Sequence, residues 1–369
     1  MIILYINDAC AKGCSFCFVP DGVKQKSREM SLEHIEQMVD KLDLKHVQIQ
    51  GGEPTQHSKF LKIIQMLAAK GVTFNMLSNI LFSERMCNEL ISYIHLGVCK
   101  NISPNASELD EKPRQLKLWK KNYLKLHEAF GNSAESMNLM WTIPKGLRKD
   151  KKRDCLEYIE WLRNEIPNNF KSLRIGLDLC GTYIINNREL GRILDNIDLL
   201  GKRYNFSFYT DCQCPPCINE PGELRPWHSL QNDYISCAAD HGTNKGVEVN
   251  PDMSTTHCFQ SQGEIGMPYI VPNILEHQYG GGDRVRQLQK IATKKYIETD
   301  AKINLPQACK ECDYFPLVCN GICMGCKVGE HDNRNVARRD LNFTVEQAST
   351  KPAKYVPPAS IKKSPIPAI

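Results

Sequence analysis

The chain has 369 residues, more than one ordinary domain needs, and 41% hydrophobic content is enough for a packed core. No stretch reaches the apolar length that spans a bilayer, and the first residues lack the basic lead-in and small-residue cleavage site of a signal peptide. A net charge of +5 is too slight to name a partner by itself, nucleic acid included, and 17 cysteines without secretory features point to metal ligation in a reducing, cytoplasmic setting rather than to a disulfide scaffold.

In chain order, the apolar run Ile2–Ile6 reads as a buried strand, and the loop leaving it carries Cys10-Ala-Lys-Gly-Cys14-Ser-Phe-Cys17. Three thiols at this spacing supply three ligands to one metal centre. Iron–sulfur clusters are ordinarily held by four Cys, so three would leave one iron open to a non-protein ligand. A structural zinc site takes four ligands, and a lone C-x-x-C suits redox chemistry. The extra Cys10 and the strand-then-loop context count against both.

Five further strands are expected at His46–Gln50, Val72–Leu77, Val98–Ser103, Met137–Ile143 and Leu173–Leu179. Amphipathic helical runs fall between and after them, at Ser31–Leu42, Lys59–Lys70, Ser83–His95, Pro113–Phe130, Asp150–Ile166 and Arg188–Tyr204. Ser, Asp or Pro at several starts, and Gly71 after one end, are the expected terminal chemistry. Six strand-then-helix units imply an α/β fold with a parallel sheet. The second strand runs directly into Gly51-Gly-Glu-Pro54.

The basic run from Lys145 to Arg153 reads as a solvated helix start more readily than as a receiver for an acidic peptide. Gly280-Gly-Gly282 follows no strand and reads as a flexible loop, not a phosphate cradle. Cys87, Cys99 and Cys155 lie on predicted helices or a strand and are expected as small buried hydrophobes. Beyond residue 205 helical periodicity fades and ten cysteines crowd in: Cys212, Cys214, Cys217, Cys237, Cys258, Cys309, Cys312, Cys319, Cys323 and Cys326. A strand-like Gly246–Pro251 stands between Cys237 and Cys258. C-x-x-C pairs in this region would also suit a zinc ribbon.

The C-x3-C-x2-C motif with Phe16 before its last cysteine, followed by the Gly-Gly-Glu segment, resembles the radical S-adenosylmethionine (SAM) enzymes. The dense cysteines after Cys309 resemble the SPASM extension of that family. The resemblance implies a partial (β/α)6 barrel over residues 1–204 and a small cysteine-rich auxiliary-cluster domain over 205–335; the tail over 336–369, with Pro-Pro and Lys-Lys elements from about Ser349, reads as partly disordered. The resemblance further implies three [4Fe–4S] clusters. Cys10, Cys14 and Cys17 would hold the first, whose open iron is chelated by SAM. Cys309, Cys312, Cys319 and Cys326 would hold a distal auxiliary cluster. Cys237, Cys258 and Cys323 would hold a nearer one, with Cys212, Cys214 or Cys217 available as its fourth ligand. Met253 in place of a glycine, a six-residue gap before Cys319 and an early last cysteine depart from the SPASM pattern and leave the exact ligand assignment open.

Phe16, Gly51, Gly52, Glu53 and Pro54 would line the SAM site, with Asn79 and Ser103 at the ends of the third and fourth strands; ordinary strand-end polarity is the plain alternative for the last two. Cys180, ending the sixth strand, is a candidate hydrogen-atom donor, against core filler as the plain reading. The implied function is reductive cleavage of SAM and hydrogen abstraction from a peptide or protein, with a flavodoxin or ferredoxin as electron donor. Phe259 stands where sulfatase-maturating enzymes carry an aspartate, which argues against a formylglycine-forming role. With Cys10 so near the first residue, no leader-binding domain is expected before the barrel. The competing readings are a small-molecule radical SAM dehydrogenase and a non-catalytic iron–sulfur or zinc carrier.

Overall fold

The computed structural model describes residues 2–17, 28–131, 137–144, 147–166, 170–177, 182–210, 247–256 and 271–300. All six expected strands form, within two residues of their predicted bounds: β1 (Ile2–Tyr5), β2 (His46–Gln50), β3 (Thr73–Ser78), β4 (Cys99–Pro104), β5 (Leu139–Ile143) and β6 (Ser172–Leu177). Three more lie among the described residues, β7 (Ser207–Thr210), β8 (Val247–Val249) and β9 (Thr255–Thr256). The helices are α1 (Leu32–Leu42), α2 (Phe60–Ala69), α3 (Glu84–His95), α4 (Pro113–Phe130), α5 (Cys155–Glu165), α6 (Thr182–Tyr204) and α7 (Arg284–Asp300).

Local chemistry explains the helix starts. Ser31 and Ser83 each accept a hydrogen bond from the backbone N–H three residues on, at 3.0 and 3.3 Å, which satisfies an orphan donor of α1 and α3. Pro113 opens α4, where its missing N–H costs nothing. The fifth helix begins at Cys155 and not at Asp150, because Asp154 and Glu157 close a reciprocal capping box there.

The sheet runs β4-β3-β2-β1-β8-β9, and a second group runs β5-β6-β7. Every strand pair is parallel except β8 with β9. A single parallel bridge, Asn105 to Met140, and a 2.8 Å bond from the Ala106 N–H to the Met140 carbonyl join the groups. The expected six-unit sheet is thus extended at both ends. Beta-7 continues it past β6, and β8 covers the outer edge of β1, with Ile2 opposite Val247 and Leu4 opposite Val249. Among the described residues no pairing joins β7 to β9.

With a parallel neighbour on each side, β1 is apolar along its length, as a strand buried on both faces must be. Its Ile2 and Leu4 share one continuous core with Ile35 and Met38 of α1, Ile49 of β2, Ile63 and Leu67 of α2, and Phe74 of β3. Helix α7, which periodicity did not indicate, lies near β8, and its Arg284 donates to the Lys41 carbonyl at the end of α1.

Candidate active site

The loop that leaves β1 lies against the turn that leaves β2, backbone to backbone. The Gly52 N–H donates to the Asn7 carbonyl at 2.7 Å and the Glu53 N–H to the Ala9 carbonyl at 2.6 Å. The buried Asn7 amide returns a bond to the Glu53 carbonyl at 3.0 Å. This contact explains both glycines. A Cβ on Gly51 would stand 2.6 Å from the Asn7 carbonyl oxygen, and one on Gly52 would stand 2.3 Å from that of Asp8. What approaches them so closely is the cysteine loop itself.

Glu53 then ties this turn to the end of β3. One carboxylate oxygen accepts from the Thr55 N–H (3.2 Å), the Thr55 hydroxyl (2.7 Å) and the Ser78 hydroxyl (2.9 Å); the other accepts from the Asn79 N–H at 2.7 Å. The side chain is buried, and burial pushes its carboxyl above the usual carboxylate range against the pull of those bonds. Asn79 carries the link onward. Its amide nitrogen lies 3.6 Å from the Cys10 Sγ, and its side-chain oxygen accepts from the Leu81 N–H at 2.8 Å.

A second set of bonds fixes the other flank of the cysteine loop to the segment after β4. Lys12 is 2% exposed, and its Nζ donates to the Asn105 carbonyl at 2.7 Å and to Asn105 Oδ1 at 3.0 Å. Glu108 accepts from the Ser15 N–H at 3.2 Å and also from its hydroxyl. Lys112 Nζ reaches the carbonyls of Lys12 (3.0 Å) and Gly13 (2.8 Å). Burial raises the Glu108 carboxyl, but the Ser15 bonds and the Lys112 charge outweigh it and leave the group below its ordinary value. Sequence reading gave no role here to Lys12, Asn105, Glu108 or Lys112. The available signals were a lysine between two ligand-type cysteines and a Glu–Lys pair four residues apart.

Cys10, Cys14 and Cys17 are free thiols, each partly exposed on this doubly anchored loop. Burial raises the Cys10 thiol and pushes Cys14 up to about 11. Among the described residues no three Cys, His, Asp or Glu side chains converge as a single ion requires. A lone zinc holds its sulfur donors within about 2.3 Å of one point. A four-iron cluster takes one thiolate per iron, and three thiols on one loop can supply three of its four. Phe16 is half-buried beside Cys17, and Pro54 is buried at the start of a 3-10 turn, Pro54–Gln56. Ser103 does not join this network: it is buried and donates to Asn101 Oδ1 at 3.0 Å on its own strand.

Cys180, Cys212, Cys214, Cys217, Cys237, Cys258, Cys309, Cys312, Cys319, Cys323 and Cys326 lie outside the described residues. Cys87, Cys99 and Cys155 are buried as expected, and burial pushes the thiols of the last two up to about 12. The basic run is corrected. Arg148 is buried against Asp110 at 2.7 Å and over the Tyr158 ring, while Lys149 pairs with Glu189 and Lys151 with Glu111. Arg153 pairs with Asp110 and covers the Trp161 ring. Lys149 and Lys152 stay exposed, as a solvated run would be, whereas Arg148 turns inward, and the run precedes α5 instead of opening it.

The sequence model of the Radical SAM superfamily matches residues 4–177. No curated protein matches the chain. Among solved structures the chain is similar to Streptococcus suis SuiB bound to S-adenosylmethionine, with 15% identity, a TM-score of 0.54, and coverage of 89% of this chain and 71% of that one. A second SuiB structure gives 17% identity and a TM-score of 0.50, covering 75% of this chain and 63% of the other. SuiB bound to precursor peptide SuiA gives 15% identity and 0.46, covering 79% and 64%. In these last two the chain spans less than two thirds of SuiB. The residues that the family model matches hold both anchored loops: residues 4–177 are a radical SAM domain.

Proposed function

We propose that the chain is a radical SAM enzyme that modifies a peptide or protein substrate, with a [4Fe–4S] cluster on Cys10, Cys14 and Cys17. One observation carries the reading: a loop with three partly exposed thiols is locked on one flank to the Gly-Gly-Glu turn and on the other to the segment after β4. The bound group would supply an electron that splits SAM into methionine and a 5′-deoxyadenosyl radical able to take hydrogen from an unactivated carbon. The chain's own residues hold the geometry. Glu53 and Asn79 fix the β2 and β3 ends against Cys10, and the Gly51–Glu53 backbone carries the cysteine loop. Direct contact of Glu53 with the SAM ammonium would fall to the one acceptor position left on its second oxygen.

A protein-sized substrate is supported by the ten cysteines beyond residue 205, whose spacing suits two auxiliary clusters in the SPASM manner. Small-molecule members tend to carry a shorter extension. Anaerobic reconstitution should give about twelve iron per chain, from three four-iron clusters. Replacing Cys10, Cys14 and Cys17 by Ala should abolish 5′-deoxyadenosine formation under dithionite and leave the absorbance of the other clusters. Iron near four with zinc making up the rest would remove the auxiliary clusters, and SAM cleavage by the triple variant would remove the site. Co-expression with a short peptide encoded beside the gene should yield a peptide of altered mass.

A further inference from the structure

A lysine is almost never fully buried unless an anion compensates it. Lys12 is 2% exposed, yet both oxygens that receive its ammonium belong to Asn105 and are neutral. The next cation along, Lys112, is directed at the carbonyls of Lys12 and Gly13 and adds positive charge to the same place. Glu108 is occupied by the Ser15 N–H and hydroxyl, with Lys112 at 3.5 Å. The anionic groups that Lys12 lacks among those oxygens are its neighbours along the loop, the thiols of Cys10 and Cys14, which become thiolates once they hold metal.

We propose that Lys12 is a positioning and tuning residue: a fixed buried ammonium, clamped by Asn105, that raises the reduction potential of the iron–sulfur cluster held by Cys10, Cys14 and Cys17. The inference rests on the cluster assignment above. Net charge and hydrogen bonding around the sulfurs set the potential of such clusters. Accepting an electron makes the centre more negative, and a cation held in a water-poor site stabilises that state more than it would in water. The clamp is what makes the effect specific. Two bonds to one residue after β4 hold a flexible side chain in a single place beside the loop.

The test compares the full-length, anaerobically reconstituted wild type with Lys12→Met and Asn105→Asp, following by redox titration the electron-spin signal that changes when SAM is added. Lys12→Met removes the charge, and Asn105→Asp keeps an oxygen for Lys12 while adding a negative charge. Both should move the midpoint to more negative potential with iron and sulfide content unchanged. Midpoints equal to wild type in cluster-loaded variants would overturn the assignment and reduce Lys12 to a loop fastener. Should Lys12→Met fail to load the cluster, Asn105→Asp decides alone. A wild type with no SAM-responsive signal would overturn the cluster site itself, and this inference with it.

Discussion

Two glycine stretches in this molecule look alike in sequence and differ in physical cause. Gly51 and Gly52 have neighbours so close that a Cβ would fall 2.3 to 2.6 Å from main-chain oxygens of Asn7, Asp8 and Ala9. Around Gly280, Gly281 and Gly282 an added Cβ meets at most the end of the Gln287 side chain, 3.7 Å from Gly280. That loop is held from outside, by the Gln287 amide bonding the Gly280 N–H and the carbonyls of Gly280 and Gly281. The first pair is needed because another loop passes through the space a side chain would take. In the second stretch only Gly282, with φ of +94°, has a conformational reason to be glycine.

The comparison breaks most sharply at Gly52. Gly52→Ala sets a methyl against backbone that cannot rotate away, so a loss of about 3 kcal/mol is expected, together with loss of the iron that the proposed site on Cys10, Cys14 and Cys17 would hold. Denaturant unfolding and iron analysis would check both, and a variant with wild-type iron would show that the two loops separate freely. Next comes Glu53, the carboxyl that accompanies the first pair. Its folded pKa is raised, so its contribution to stability is full below the unfolded value of about 4.3 and is lost as pH rises through the folded value. The stability of wild type relative to Glu53→Gln should therefore fall as pH rises above about 4.3, by at most about 1.4 kcal/mol per pH unit. A flat difference from pH 4 to 8 would mean the carboxyl is not held up by burial. Gly282→Ala should cost about 1 kcal/mol, from the left-handed backbone alone. Gly281→Ala should stay within about 0.5 kcal/mol, and a larger loss there would erase the contrast between the stretches.

The strand–helix order from Ile2 to Tyr204 was legible because each element carries its own signal within a few residues: an apolar run, a capping serine, a stop. The candidate site could be marked in the sequence by its residues but not by their connections. Three cysteines and Gly51-Gly-Glu53 announced themselves by spacing, whereas the Lys12–Asn105 and Ser15–Glu108 bonds each span 93 residues and leave no local trace. Arg148 was misread for the same reason. Its partner Asp110 lies 38 residues back, and a basic run gives no sign of which member turns inward. Strand β8 was anticipated as a strand-like stretch, but nothing within Val247–Val249 says that it pairs with β1.

That last pairing bears on how the chain is made. As the polypeptide leaves the ribosome, β1 finds β2 within a few dozen residues, but its outer edge waits for Val247–Val249. Until that stretch is made, the most apolar strand of the sheet has one row of backbone donors and acceptors unpaired, the kind of edge that recruits other chains. The residues that end this exposure belong to the cysteine-rich part of the chain. A truncation at Leu177, the last residue of the family match, would keep Cys10, Cys14 and Cys17 and still leave an adhesive edge. A stretch that reads as an accessory thus closes the edge of the strand that leads into the cysteine loop.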